Sequence, residues 1–159
     1  MANTEPVEEL MVALQRLGRL LASRQVASRI TTVAGVDVTQ QGVTLLRVLL
    51  REGKQPIAVL ATAAAMDLGA VSRQVKLLED AGALRRSRSS DDGRVALVEL
   101  TAEGRRIAER IRAVGVQHLE EALRDWSATD ERTLARLMQR FVDDLVATPV
   151  RPDAVAAER

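Results

Sequence analysis

The chain has 159 residues, and its charge is nearly balanced, with 23 Lys and Arg against 22 Asp and Glu. At roughly 150 residues per domain, this length predicts one domain, large enough to bury a core without disulfide or metal staples. The absence of Cys and the single His exclude thiol chemistry, Cys-liganded zinc and a multi-His metal centre, so we predict neither cofactor nor metal. Aromatic residues make up 1% of the chain, which removes the stacking platforms of single-stranded nucleic-acid binders.

The N-terminal residues do not have the pattern of a targeting signal. Residues 1–10 contain three acids and no base, the reverse of the basic start of a signal peptide. The longest apolar run, Ile57–Met66, includes Thr62 and is far shorter than the ~20 residues that a membrane span needs. We therefore expect a cytoplasmic protein with no membrane segment.

A long amphipathic helix is predicted from Glu5 to about Ile30. Its apolar stripe repeats at helical spacing and consists of Leu10, Leu14, Leu17 and Leu21. One neighbouring helix could not cover this much apolar surface, so the pattern indicates a partner subunit as well as packing within the chain. The alternative interpretation is that this apolar stripe packs only against the core of its own chain.

Two shorter helices are predicted after a loop at 33–38. Thr39 is a suitable N-cap for a helix over residues 40–51, and Gly53 ends that helix. Pro56 can occupy the first turn of the next helix, which runs through Ala64.

The segment 67–82 predicts a helix with two different faces. One face is an apolar core stripe, formed by Leu68, Val71, Val75 and Leu78. The other face combines small residues with two cations: Gly69, Ala70, Ser72, Arg73 and Lys76. Gly82 stops the helix.

A basic β-hairpin is predicted directly after this helix. Strands at 84–88 and 95–100 flank a polar turn that contains Gly. The first strand is expected to place three cations near one face: Arg85, Arg86 and Arg88. Arg94 lies at the tip.

Long helices complete the chain. Thr101 is predicted to cap a helix that extends to about Trp126, and Ser127 opens a capping box for the last helix. Pro149 ends the ordered part, so residues 149–159 are expected to form a flexible tail.

This order of elements predicts a mainly α fold with a small β-hairpin wing, a winged helix-turn-helix within an α-helical dimerisation scaffold. A helix enters the major groove of double-stranded DNA when its outer face is small near the N-terminus and carries donors for base edges. Gly69, Ala70 and Ser72 allow close approach. Arg73 can donate to guanine O6 and N7, and Gln74 can pair with adenine.

The wing supplies a second set of candidate contacts. A guanidinium on a thin loop, such as that of Arg94, suits a narrow and electronegative minor groove, and Asp92 can hold it in one rotamer. Residues 69–90 contain five cations and two acids, a net charge of +3.

Three motifs of this sequence resemble the MarR family of transcriptional regulators. They are Val71-Ser72-Arg73-Gln74-Val75, Leu78-Glu79-Asp80-Ala81-Gly82 and the wing with its following helix start, Asp92-Gly93-Arg94 through Leu100-Thr101-Ala102-Glu103-Gly104. The resemblance implies a homodimer with intertwined terminal helices that binds a palindromic operator, usually as a repressor. It also implies that a small-molecule effector, often aromatic or anionic, binds between the scaffold and the DNA-binding lobe and weakens DNA binding. The ligand-binding residues stay unknown.

The resemblance also implies a division of the chain and the roles of single residues. The DNA-binding lobe spans residues 39–100, the dimerisation region 5–34 and 101–148, and the tail 149–159. The family's groove-facing positions correspond to Ala70, Ser72, Arg73 and Gln74, its wing pair to Asp92 and Arg94, and its backbone-contacting positions, more loosely, to Thr39 and Gln40. The full predicted DNA-binding set adds Gly69, Lys76 and Arg86. Leu77 stands where the family often has Arg.

Two other classes of function were weighed. An enzyme is disfavoured because there is no Gly-rich phosphate loop and His118 is the only His, so no catalytic residue is predicted. A helical dimeric adaptor for another protein, with a degenerate winged helix, is favoured by Leu77 on the side expected to face DNA. Binding to duplex DNA that weakens steeply with salt would separate a DNA-binding protein from an adaptor.

Overall fold

The computed structural model describes residues 5–21, 23–89 and 94–149, and for residues 24–27 it describes the backbone alone. This part of the chain contains seven helices and one three-stranded antiparallel sheet, which confirms the predicted fold class. The helices are α1 (Glu5–Leu21), α2 (Arg24–Ala34), α3 (Gln40–Glu52), α4 (Ile57–Ala63), α5 (Leu68–Asp80), α6 (Ala102–Ala122) and α7 (Ala128–Ala147). The strands are β1 (Gln55–Pro56), β2 (Leu84–Arg88) and β3 (Ala96–Leu100).

The chain forms two compact units. The first, Met1–Gln117, holds α1 to α5, the sheet and most of α6, and the second, His118–Arg159, holds the end of α6 and α7. The predicted functional division at residues 39–100 stays a prediction.

The core of the first unit lies where α3, α4, α5, β3 and α6 meet. Its largest fully buried side chains are aliphatic: Leu45, Leu46, Leu49, Leu60, Ile111, Val71, Val75 and Val98. Close packing of these branched side chains fixes α5 on the core and leaves its other side in solvent.

The sheet has the order β1–β3–β2, with β3 in the centre. The β2–β3 hairpin was predicted, and its register pairs Leu84 with Leu100 and Arg88 with Ala96. The two-residue strand β1 was not predicted, because Gln55 and Pro56 are too few to show an alternating pattern.

Two helix boundaries in the first unit differ from the prediction. The expected single helix over residues 5–30 is two helices, and Ser23 is the N-cap residue of the second. That second helix continues to Ala34, where Gly35 adopts a left-handed φ of 63° that ends it. The predicted loop therefore shortens to the residues that follow Ala34.

Within the described residues, the second unit begins near the end of α6 and consists mainly of α7. Helix α6 ends at Ala122, earlier than predicted, and Trp126 lies in the turn before α7. The predicted cap of α7 is present, since the Ser127 hydroxyl accepts a hydrogen bond from the backbone N–H of Asp130 at 3.1 Å. Residues 150–159, which contain most of the predicted tail, lie outside the described residues.

Candidate nucleic-acid interface

Helices α4 and α5 form a helix-turn-helix with a defined turn. The carboxylate of Asp67 accepts a hydrogen bond from the backbone N–H of Ala70 at 2.7 Å and so caps the N-terminus of α5. Ala65, in the turn, has a φ of 51°, and the Met66 N–H bonds the Ala61 carbonyl at 3.0 Å. These features of the turn end α4 and set the direction in which the chain enters α5.

The outer face of α5 exposes two cations. Arg73 and Lys76 are exposed, and within the described residues neither of them forms an ion pair. Gly69 is exposed one turn before Arg73, and a β-carbon added there would lie 3.4 Å from Nη1 of Arg73. Ser72 is half-buried beside them. This face therefore presents the small residue and the unpaired cations that approach to a DNA groove requires.

Two residues of α5 lie on the opposite side from their predicted positions. Ala70, predicted on the outer face, is 5% exposed, and Leu68, predicted in the core stripe, is 55% exposed. The buried side of α5 is formed by Ala70, Val71, Val75 and Leu78, so it is centred closer to Ala70 than the prediction placed it and leaves Leu68 in solvent. The prediction that Ala70 faces the DNA groove is therefore wrong, because its methyl group is buried.

Gln74, predicted to pair with adenine, is half-buried and bonded to the start of α3. Its Oε1 accepts a hydrogen bond from the Thr39 hydroxyl at 2.7 Å, and its Nε2 donates to Oε1 of Gln41 at 3.2 Å. The Thr39 hydroxyl also accepts from the Gly42 N–H at 3.0 Å, which confirms it as the N-cap of α3. The neighbouring Gln40 donates to the backbone carbonyl of Leu21 at 3.3 Å.

The cations of β2 are mostly engaged within the protein. Arg86 pairs with Glu79 of α5 at 3.2 Å and lies 3.5 Å from the Ser72 carbonyl oxygen, so it links the wing to the helix. Arg88 is exposed and has no ion pair among the described residues.

Arg85 lies opposite Glu99 across the hairpin, and its guanidinium is 3.1 Å from that carboxylate. It was expected near one face with Arg86 and Arg88, but alternation along a strand directs Arg85 to the other face. Lys54 lies 3.5 Å from the same carboxylate. The hydrogen bond from Arg85, with the positive charges of Arg85 and Lys54, holds the pKa of Glu99 below its usual value.

The predicted wing tip is described in part. Arg94 lies in the described residues and has an interaction partner, while Asp92 lies outside them, so the predicted Asp–Arg pair stays a prediction.

The sequence prediction missed three residues that shape this surface: Gln41, Glu79 and Glu99. The Arg85–Glu99 pair had a usable signal, because the hairpin register places the two residues opposite each other. Gln41 and Glu79 carried no local signal, since their partners come from other elements.

The comparisons with known proteins agree with this geometry. Residues 38–96, which hold α3, the helix-turn-helix and the start of β3, match the family model described as the MarR family. This segment of the chain is similar to the MarR family. Relatives of the chain are HTH-type transcriptional regulators, and a solved MarR family protein shares its winged helix-turn-helix fold.

Similar proteins of known sequence or structure support the same family. An uncharacterised HTH-type transcriptional regulator of Bacillus subtilis (strain 168), YxaD, is 29% identical over 61% of this chain and 68% of its own length. A MarR family protein from Bacillus stearothermophilus has the same fold, with a TM-score of 0.79 at 21% identity over 92% of this chain and 99% of that one. NadR, solved in complex with 4-hydroxyphenylacetate, has a TM-score of 0.66 at 22% identity over 82% of this chain and 89% of its own.

Two other kinds of site have no candidate in the described part of the chain. No helix there is both long enough and apolar enough to pass through a membrane. No group of three or more His, Asp or Glu side chains in those residues is placed to hold a metal ion.

Proposed function

We propose that this protein is a MarR-type regulator, a cytoplasmic homodimeric repressor that binds a palindromic operator and is released from it by a small-molecule effector. The observation that carries the DNA-binding part is the outer face of α5, where Arg73 and Lys76 stand exposed beside Gly69. Arg73 is placed to read a guanine, while Lys76 attracts the phosphate backbone. Ser72 flanks this surface on the groove side, Gln40 is placed to contact the phosphate backbone of the DNA, and Arg94 reaches the minor groove. The Thr39 hydroxyl, predicted as a second backbone contact, is engaged by Gln74 and Gly42.

The proposed dimer explains the apolar surfaces that α1 and α7 each leave in solvent. Six large apolar side chains of α7 are exposed to some extent: Leu134, Leu137, Met138, Val142, Leu145 and Val146. A similar set on α1 is Val7, Leu10, Met11, Val12, Leu17, Leu20 and Leu21. Monomeric proteins rarely expose contiguous apolar surface of this kind, so a second copy is the occupant we propose.

A dimer also sets the geometry of operator binding. Two α5 helices must lie about 34–36 Å apart to enter successive major grooves on one side of the duplex. An effector that changes this separation weakens DNA binding, and DNA weakens effector binding by the same factor. The complex of NadR with 4-hydroxyphenylacetate supports the existence of an effector, although its identity here is open.

The first test combines oligomeric state with duplex selection. Light scattering after size exclusion should give twice the chain mass, and selection from a random duplex library should return sequences with two-fold symmetry. Leu137→Glu should yield monomers because it places a charge in the apolar stripe of α7. Thr129→Glu, which adds the same charge on the opposite side of α7, should leave the dimer intact. A monomeric parent protein, or one that retains no duplex, would contradict the proposal.

A protein-interaction adaptor is the second candidate, and specific observations favour it. Leu77 and Leu68 are each 55% exposed on α5, where a DNA-reading helix would ordinarily carry polar groups. Salt titration separates the two functions, because counterion release makes DNA binding fall steeply with salt. An adaptor would retain no duplex even at low salt.

A further inference from the structure

We propose that Gln74 is a positioning residue that holds α5 at a fixed angle against α3, and that it does not read a base. The inference rests on the proposed function, because it concerns how the DNA-reading surface is set. It changes the role that the sequence pattern gives Gln74, which is pairing with adenine.

The hydrogen bonds of the Gln74 side chain define a bridge between two helices. The Thr39 hydroxyl accepts the Gly42 N–H as the cap of α3, so its single proton is available for Oε1 of Gln74 at 2.7 Å. The hydroxyl thus donates to the oxygen end of the Gln74 amide. The other end donates to Oε1 of Gln41 at 3.2 Å. The bridge therefore consists of Thr39, Gln74 and Gln41.

Reading an adenine would use the same two atoms. A glutamine pairs with adenine by donating from Nε2 to N7 and accepting at Oε1 from N6. In this protein both atoms already bond to α3, and the side chain is half-buried while the neighbouring Arg73 is exposed. Base reading would require the amide to give up the bridge.

Helices α3 and α5 are in contact beside the bridge, so the bridge can control their angle. A β-carbon on Gly42 would lie 3.6 Å from Cδ2 of Leu78 in α5, an ordinary van der Waals distance. Apolar packing of this kind sets the distance between helices but allows some rotation and sliding. A pair of directional hydrogen bonds at the outer edge restricts that freedom and fixes where Arg73 projects.

The test replaces the amide pair by an ion pair. Gln74→Glu keeps an acceptor for the Thr39 hydroxyl but removes the Nε2 donor that bonds Oε1 of Gln41, so the Gln41 amide must turn to keep any bond to position 74. Gln41→Lys places a donor at position 41, and the double variant has the net charge of the parent protein. If Gln74 read adenine, Gln74→Glu should shift the preferred base at one operator position toward cytosine, because a carboxylate accepts from cytosine N4.

The expected result has two parts. Urea unfolding without DNA gives the unfolding equilibrium constant of each variant. The effect of the double variant on this constant should differ by about two- to fivefold from the product of the effects of the two single variants, as is found for residues in contact. DNA affinity is then measured on operators that are substituted at one position at a time. Gln74→Glu should lower the affinity for every one of these sequences by the same factor, about tenfold. The double variant should return to within about threefold of the parent with an unchanged base preference.

Gln40→Lys combined with Gln74→Glu is the control for charge alone. Gln40 adjoins Gln41 but donates to Leu21, so this pair brings the same charges to α3 without rebuilding the bridge. It should show no coupling in unfolding.

The outcomes distinguish this inference from the proposed function. A switch of base preference at one position, or the absence of coupling between positions 41 and 74, would overturn the positioning role. A parent protein that binds no duplex at all would overturn the proposed function, and the unfolding experiment would still decide whether the bridge exists.

Discussion

Gly104 of α6 lies directly against the carbonyl group of Ala83, the residue before β2. A β-carbon on residue 104 would overlap the Ala83 oxygen and lie 2.7 Å from its carbonyl carbon. Thr101 holds the same junction: its hydroxyl donates to the Gly82 carbonyl at 2.7 Å and accepts from the Gly104 N–H at 3.0 Å. The Thr-x-x-Gly spacing of the sequence thus fastens the start of α6 to the turn between α5 and the wing.

Replacement of Gly104 should therefore be severely destabilising. We expect Gly104→Ala to lower the free energy of unfolding by about 3 kcal/mol or more, because the obstacle is backbone and cannot rotate away. Urea denaturation followed by circular dichroism measures the change. Gly115→Ala, in the same helix, is the control: its β-carbon would meet only Nη2 of Arg47 at 3.6 Å. Higher helix propensity should make that variant neutral or more stable by up to about 1 kcal/mol.

Arg73 and Lys76 should differ in what they contribute to DNA binding. Arg73→Ala is expected to cost about 1–3 kcal/mol on the selected operator and to relax preference at one base pair. Lys76→Ala should weaken binding by a similar factor on all sequences and reduce the slope of log K against log salt by about 1. Fluorescence anisotropy on matched operator and scrambled duplexes measures both. Equal loss on every duplex after Arg73→Ala would exclude its base-reading role.

Arg86 should behave as a structural link and not as a phosphate contact. Its guanidinium is held by Glu79 at 3.2 Å, whereas Arg88 on the same strand has no ion pair among the described residues. We expect Arg86→Gln to leave the salt slope of DNA binding unchanged and Arg88→Gln to reduce it by about 1. A double-mutant cycle of Arg86→Gln and Glu79→Gln, measured on the free energy of unfolding, should give an interaction energy of at most about 1 kcal/mol. The reason is that both side chains are partly exposed. A lower salt slope after Arg86→Gln would instead place that guanidinium on a phosphate.

The elements of the DNA-binding lobe could be predicted from local sequence because their signals are local. Asp67 and Gly82 bound α5, and β2 has the bounds predicted for it, because caps, left-handed glycines and polar turns act over a few residues. The two-residue strand β1 exists only because β3 lies beside it, so no local pattern indicates it.

The orientation of side chains within the site was less accessible to prediction. The helical wheel treats Val71 as the centre of the core face, but the observed buried side includes Ala70 and leaves out Leu68. The partners of Gln74 and Arg86 come from other elements, so they depend on how the helices pack and not on spacing along the chain. For the same reason, the sequence suggested more available cations on the wing than the structure presents.

The wing should lose part of its stabilisation in acid through Glu99. Hydrogen bonding to Arg85, together with the charge of Lys54, holds the pKa of Glu99 below its usual value in the folded protein. The unfolded chain then takes up this proton before the folded chain does, so the contribution is complete above the ordinary glutamate pKa of about 4.3 and is lost as the pH falls through the folded pKa. Urea unfolding between about pH 6 and about pH 3 measures this loss. The free energy of unfolding should fall less steeply with decreasing pH for Glu99→Gln than for the parent protein. Arg85→Gln should reduce that dependence in the same window, because it removes the largest cause of the shift, and a parental pH profile in both variants would contradict the assignment.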